Sequence, residues 1–448
     1  MDVRARIWKL GRVAAIVLPG LGGLAVGSLP ASASTLRVPQ DQPTIQQAIN
    51  VAKAGDTVLV SPGTYYEHIN FLGKDVKVKG EQGRDVTTID GQANPGTVVT
   101  IAGGETSKAL LMGFTITHGT TTGIVVRGAS PTIKNNRITG NTVNGHGAGI
   151  SLENSSTLLE YNYITNNSQV PLHCGPDQYC QVPGYLSGGG VSITGTGSPQ
   201  VYANIITGNT ADYGGGISVQ YAENTPSIVD NRIQLNNAGG AGGGIHVSQN
   251  WQEPGFGRPE IVQNLVSDNT AGTAGGVFVN GGVRFINNTV ANNLANNAVR
   301  AIDHTQFSAL YFMGGYSGSN DQTGYWDNIL TGPSSMPAVY CDTGYSQSIP
   351  TLIVGNDAYN FGGTPTAGNC TAAFDPSNFS NIEADPLYKN QKARDYHVLP
   401  NSPTIDAEVS SYWVPPVVEP TDFSRVDPRV QGDHVDMGVY ETAPPATT

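Results

Sequence analysis

The chain of 448 residues carries 23 Lys and Arg against 35 Asp and Glu, a net charge of −12, and 57 of its residues are glycine. So acidic a surface repels nucleic acid, whose binding depends on neutralising phosphates, and it resists acidic polysaccharides unless a cation or a local basic patch intervenes. Length alone suggests two or three domains, a prior that internal repeats overrule.

The chain opens as a targeting segment. Arg4, Arg6, Lys9 and Arg12 make a basic start, an apolar run extends from Val13 to Val26, and Ala31-Ser32-Ala33 supplies the small-residue pattern of a cleavage site. Pro19 and several glycines interrupt the short run, which argues against a permanent membrane span, and no later stretch is apolar enough to cross a bilayer. Residues 1–33 are therefore read as a signal peptide, and the rest as a monomer exported by a bacterium, secreted or held at the cell envelope. Without residues 1–33, 19 Lys and Arg face 34 Asp and Glu.

Residues 43–54, PTIQQAINVAKA, predict a helix. Thr44 and Gln47 form a capping box, Ile45, Ala48, Ile49 and Ala52 line one apolar face, and Gly55 ends it. Such a helix would plug the N-terminal mouth of a hollow fold.

From Pro131 to Leu330 the chain is repetitive. TIKNNRITGN (132–141), LLEYNYITNN (158–167), QVYANIITGN (200–209), SIVDNRIQLN (227–236), EIVQNLVSDN (260–269), RFINNTVANN (284–293) and YWDNILTG (325–332) share one pattern, anchored on Asn136, Asn162, Asn204, Asn231, Asn264, Asn288 and Asn328 at spacings of 26, 42, 27, 33, 24 and 40. Between them recur GAGISLE (147–153), GGGVSIT (188–194), GGGISVQ (214–220), GGGIHVS (242–248) and GGVFVN (275–280). Periods of this size mean a solenoid, and short alternating apolar runs between Gly and Asn turns make it a β-solenoid, with Ile150/Leu152, Val191/Ile193, Ile217/Val219 and Ile245/Val247 filling the bore. The Gly, Asn and Thr content excludes helical repeats. The asparagines are read as turn residues that tolerate the left-handed conformation and hydrogen-bond along a stack. After about Ser380 the repeat fades into a Pro- and Asp-rich region, read as a distinct C-terminal cap over 380–448, leaving 34–379 for the solenoid.

The opening TLRVPQDQPTIQQAINVAKAGDTVLVSPGTYYEHINFLGKDVKVKGEQGRDVTTIDG (35–91) resembles that of the pectin-lyase-like superfamily, which includes lyases, hydrolases, esterases and carbohydrate-binding proteins. The resemblance implies an all-β, right-handed, single-stranded parallel β-helix. ADPLYKNQKARDYHVLPNSPTID (384–406) and TDFSRVDPRVQGDHVDMGVYE (421–441) resemble the terminal module of bacterial choice-of-anchor Q proteins, although Glu408 follows Ala407 where Gly is usual. Gly63-Thr64-Tyr65-Tyr66-Glu67 is similar to a pectin methylesterase stretch, but the segments bearing that family's catalytic aspartate are missing, and Gly257-Arg258-Pro259 alone is no substitute. Gly145-His146-Gly147 is similar to the polygalacturonase motif, but no upstream carboxylate pair accompanies it, and inverting hydrolysis needs two carboxyls roughly 6.5–9.5 Å apart. The arginine and aspartate pattern of pectate lyases is absent.

The long spacings locate loops. Insertions at Ser168–Ser187 and Gln249–Arg258, with the aromatic-rich segment 303–326, would wall a groove floored by the Gly-rich strands. Alternation gives two outward columns for that floor: Ser151, Ser192, Ser218, His246, Phe278 and Glu153, Thr194, Gln220, Ser248, Asn280. Within it His246 is the acid/base candidate, with Asp212 as partner and Tyr213 as phenolic acid. Gln220, Tyr221, Trp251, Glu153 and Ser218 are the candidate substrate-binding residues, and Tyr213, Tyr221, Trp251 and Tyr325 are the rings available to stack on sugars. Asp303, His304 and Arg300 form a rival cluster, Glu253 could join Asp212 in a hydrolase pair, and His118 and Arg127 have no obvious partners. The four cysteines form two local pairs, Cys174 with Cys180 and Cys341 with Cys370, read as disulfides in an exported protein.

Two functions are consistent with these features. One is cleavage of a polysaccharide or oligosaccharide, by a lyase that recruits Ca2+ to offset the absence of Lys and Arg in the floor, or by a glycoside hydrolase. The other is a non-catalytic carbohydrate-binding or cell-surface protein.

Overall fold

The computed structural model describes residues 33–143, 147–169, 187–223, 225–249, 257–296, 310–313, 324–333, 336–342, 352–368, 370, 380–407 and 436–442. From Thr35 the chain winds into coils whose short strands stack in parallel on the coil before and after. Three long sheets result: sheet A of 12 strands, sheets B and C of 11 strands each. A fourth, sheet D, has 6 strands and is inserted between B and C in the coils from Thr142 to Ala295.

Alternation explains the bore. In the three-residue strand Leu158–Glu160 the middle residue, Leu159, is fully buried and its neighbours face out. The same phase stacks Val78, Leu111, Ile133, Leu159, Val201, Ile228 and Ile261 in sheet A and Ile116, Ile138, Ile164, Ile206 and Ile233 in sheet B, all fully buried. The pairs predicted for the Gly-rich strands, from Ile150/Leu152 to Ile245/Val247, fill the bore from sheet C at no more than 2% exposure. Each such aliphatic side chain contributes on the order of 1.5–3 kcal/mol.

The asparagines form a continuous ladder at the A–B corner. Asn162 Nδ2 donates to the carbonyls of Ile133 (2.9 Å) and Glu160 (3.0 Å) and to Asn204 Oδ1 in the next coil (3.0 Å). Its Oδ1 accepts from the backbone N and Nδ2 of Asn136 at 3.0 and 3.2 Å. The seven predicted anchors are joined by Asn356 and Asn381. A second ladder, Asn141, Asn167, Asn209, Asn236, Asn269 and Asn293, turns the B–D corner in the same way. One expectation is corrected: the ladder asparagines are not themselves left-handed. The residue before each one is, as in Tyr161 (φ 57°), Ala203 (φ 58°) and Asp230 (φ 59°), which frees the Asn side chain to point inward and bond along the stack.

The Gly-rich motif has a steric cause. Gly214 and Gly242 lie at φ 64° and 67°, where only glycine is unstrained. Two residues later the constraint is proximity: a Cβ on Gly216 would sit 2.6 Å from the carbonyl oxygen of Gly244 in the next coil.

Both ends differ from expectation in detail. The capping helix spans Ile45–Val51, with Thr44 accepting from Gln47 N and Ile45, Ala48 and Ile49 buried. It ends at Ala52, whose N–H reaches Ala48 O, three residues before Gly55. Its first turn is held by Glu67, whose carboxylate accepts from Ile45 N and Gln46 N, both at 2.9 Å. The Gly63–Glu67 motif is thus accounted for by capping. At the other end, Asn381 still belongs to the ladder and Ile382 still bridges to Asp357. The chain then folds back over the outer face of sheet B instead of only closing the mouth. A hairpin of Tyr388–Asn390 and Asp395–Val398 places Tyr396 OH 3.0 Å from Asp268 Oδ2. Tyr396, Val439 and Tyr440 pack on Leu265 and Ala291. Segments 384–406 and 421–441 meet where Asp436 accepts from Asp406 N at 2.8 Å.

Candidate functional site

Sheet C brings the two predicted floor columns into register. Ser151 pairs with Ser192, Ser192 with Ser218, Ser218 with His246 and His246 with Phe278. Glu153, Thr194, Gln220, Ser248 and Asn280 stand beside them, one residue per coil. The columns have opposite fates.

The first column is enclosed. Ser151, Ser192, Ser218 and His246 are 4%, 1%, 0% and 5% exposed. His246 sits in a file of rings. Tyr213 is 5.2 Å away and tilted, Phe278 5.1 Å away and within 8° of parallel, and the file runs on through Tyr311 (5.0 Å) and Tyr340 (5.4 Å). The spacing arises from the strand separation of roughly 4.8 Å, which sets rings on successive coils at stacking distance. Alternation carried two strands further would have shown Tyr311 and Tyr340, since LYFM (310–313) and VYCD (339–342) place an aromatic residue at the same phase.

Enclosure decides the chemistry of His246. Burial holds its pKa down to about 3, so the ring is neutral near neutral pH and a poor proton carrier. Among the described residues its Nδ1 has no hydrogen-bond partner, and neither do Ser192 Oγ and Ser218 Oγ. Asp212 is not its partner: the backbone N of Asp212 bonds Gln169 Oε1 at 3.2 Å, and its carboxylate oxygen lies 3.6 Å from where a Cβ on Gly239 would stand. Tyr213 is a neighbour of His246 through ring contact. Of the predicted triad, the structure brings His246 and Tyr213 together through their rings, and His246 Nδ1 takes no hydrogen bond from a described residue.

The second column stays open at Glu153, Thr194, Ser248 and Asn280, which are half-buried. Gln220 is buried at 4%, whereas Tyr221, left-handed at φ 50°, is 49% exposed at the end of the same strand. Ser218 and Gln220 are therefore removed from the candidate contact surface. Glu153 is not free for substrate. It takes a two-pronged ion pair from Arg127 on the preceding strand, Nε to Oε2 at 2.6 Å and Nη2 to Oε1 at 3.1 Å. Arg127 thus has a partner, and so does His118, whose Nδ1 is 2.9 Å from Asp90 Oδ1. Tyr325 is also corrected: it is 1% exposed and packs in the core at a tilt against Phe285.

Cys341 and Cys370 are bonded, fastening a sheet C strand to the next coil. Trp251, Glu253, Arg300, Asp303, His304, Cys174 and Cys180 lie outside the described residues, as do most of the three loop segments expected to wall the groove. Among the described residues no group of three His, Cys, Asp or Glu could hold a metal ion such as calcium. No described helix is long and apolar enough to cross a membrane.

The chain matches the family described as right handed beta helix region over residues 73–181 and 99–314. No curated protein sequence matches it. Among solved structures it is similar to a pectate lyase, Pel9A, at 13% identity and a TM-score of 0.43, over 89% of this chain and 90% of that one. It is also similar to a pectin methylesterase in complex with a hexasaccharide, at 12% identity and a TM-score of 0.28, over 78% of this chain and 96% of that one. The family match spans more than half of the sequence, and the parallel coils agree with it: the chain belongs to the right-handed β-helix family.

Proposed function

We propose that this is an exported bacterial protein that binds a polysaccharide along the open column of sheet C without cleaving it. The observation that carries this reading is the contrast between the columns. Thr194, Ser248 and Asn280 present hydroxyl and amide groups outward on three of four successive coils, and the coil between Thr194 and Ser248 adds the exposed ring of Tyr221, while the imidazole of that sheet is sealed and uncharged. A repeating row of small polar groups next to an aromatic face suits a repeating ligand with hydroxyls and apolar ring faces. Export rests on the basic and apolar character of residues 1–33.

The test is affinity electrophoresis of the mature protein through gels containing neutral and acidic polysaccharides, with the same polymers assayed for new reducing ends and for ultraviolet-absorbing unsaturated ends. Retardation without products is expected, and Tyr221→Asn, which keeps a residue tolerant of the left-handed conformation, should weaken it at least fivefold. Absence of retardation by every polymer overturns the reading.

One observation favours a second reading, a lyase or hydrolase: Ser192 Oγ, Ser218 Oγ and His246 Nδ1 are buried without partners among the described residues, on three adjacent strands, and unpaired buried polar groups call for an explanation. Unsaturated ends would indicate a lyase and reducing ends alone a hydrolase. Either product, lost in His246→Ala, would establish this second reading.

A further inference from the structure

The outer face of sheet A, at the N-terminal end of the rod, carries an open cavity of about 410 Å³ lined by Lys77, Lys108 and Lys134, with Ser107, Leu110 and Thr132 between them. The register explains the gathering. Lys77, Leu110 and Thr132 occupy one outward column across three coils, and Lys79, Met112 and Lys134 the column beside it. The chain has nine lysines, and four of them meet on this face of a protein of net charge −12. We propose that this face is a second binding site, specific for an acidic oligosaccharide.

Charge is the first argument. Lys134 has a carboxylate within reach, Glu160 at 3.4 Å, but among the described residues none lies within ion-pair distance of Lys77, Lys79 or Lys108. Nearby carboxylates are engaged by their own loops. Asp75 accepts from Thr106 N and Oγ1 at 2.7 Å, and Asp56 accepts from Ser34 N and Lys53 N at 2.7 and 2.8 Å. Three ammonium groups around one cavity repel one another, and a bound anion relieves that repulsion. On a surface that otherwise repels anions, the patch is where a polyanion can approach.

Shape and composition choose the anion. Lys77 and Lys134 stand two strands apart, roughly 10 Å, so a small ion meets one or two ammoniums while an extended chain of acidic sugars meets all three. That interval is of the order of a disaccharide, which suits a glycan bearing one carboxylate per disaccharide. Ser107 and Thr132 offer hydroxyls and Leu110 an apolar surface, the mixture that a sugar ring, but not a bare phosphate, can use. The site shares no residue with the open column of sheet C, so its failure and the failure of the proposed function are separate results.

The experiment is isothermal titration of the mature protein with a hyaluronate octasaccharide at 50 mM salt, with chitohexaose as the neutral control and sodium sulfate as the small-anion control. Binding of the octasaccharide is expected, at least tenfold tighter than either control and severalfold weaker at 200 mM salt. The variant Lys77→Gln/Lys108→Gln/Lys134→Gln should lose at least tenfold in affinity with an unchanged circular dichroism spectrum. Lys389→Gln/Lys392→Gln, which removes two lysines of the C-terminal hairpin, should bind like the parent. Equal binding by the triple variant, binding of sulfate as tight as the octasaccharide, or no binding of the octasaccharide would each overturn the proposal.

Discussion

His246 and Phe278 stack face to face on adjacent coils, their rings 5.1 Å apart and 8° from parallel. The residue that the alternation pattern nominates as a proton carrier is thereby part of the packing that stiffens sheet C, and that arrangement has a consequence in pH.

Because burial holds the His246 pKa at about 3 in the fold, against 6.5 when exposed, its contribution to stability is full above about pH 6.5. It declines as the pH falls toward 3, since the unfolded chain takes up a proton that the fold refuses. At pH 5 the deficit is on the order of 2 kcal/mol. Denaturant midpoints measured at pH 7.5 and 5 should fall further for the parent than for His246→Phe, which keeps the ring file and removes the titration. Parallel declines would show that His246 is not the group responsible.

Asp357 carries the opposite sign. It is fully buried, its Oδ1 accepts from Ala384 N at 3.1 Å, its Oδ2 has no partner among the described residues, and burial raises its pKa well above the usual carboxylate range. Its stabilising protonated form is present below pH 3.8 and is lost as the pH rises through the elevated value. Asp357→Asn should therefore raise the midpoint at pH 8 and leave it nearly unchanged at pH 4, as read by thermal unfolding.

The two glycines Gly216 and Gly239 separate close approach from composition. A Cβ on Gly216 would meet Gly244 O at 2.6 Å and Ile233 Cγ2 at 2.8 Å, whereas on Gly239 the nearest atom is Asp212 Oδ1 at 3.6 Å. Gly216→Ala should cost about 1–3 kcal/mol, measured by urea unfolding, and Gly239→Ala less than about 0.5 kcal/mol.

Asn231 tests the ladder. Its Nδ2 donates to Val201 O (2.7 Å), Val229 O (2.9 Å) and Asn264 Oδ1 (3.0 Å), and its Oδ1 accepts from Asn204 N at 2.9 Å. Asn231→Ala strands several buried backbone groups at once, so a loss of roughly 2–4 kcal/mol is expected. Asn50→Ala, which removes one exposed bond from Gln46 within the capping helix, should cost less than about 1 kcal/mol in the same assay.

The solenoid was legible because its causes are local. Alternation in strands such as Ile217–Gln220 requires a bore, and the spacing from Asn136 to Asn328 requires a coil on every turn of the repeat. The second ladder was visible in the final Asn of the first six repeats, five residues after the anchor, and the Gly motif in its own recurrence. What sequence could not determine was which outward side chains remain outside. Ser218 and Thr194 alternate alike, yet the first is fully buried and the second is not, because exposure depends on what other coils and segments lay over a column. The same holds for Glu153, whose partner Arg127 is 26 residues away, and for Tyr396, which finds Asp268 across 128 residues. Period and phase belong to the chain itself. Burial, pairing and proton affinity are properties of the assembled surface, and only the tertiary structure decides them.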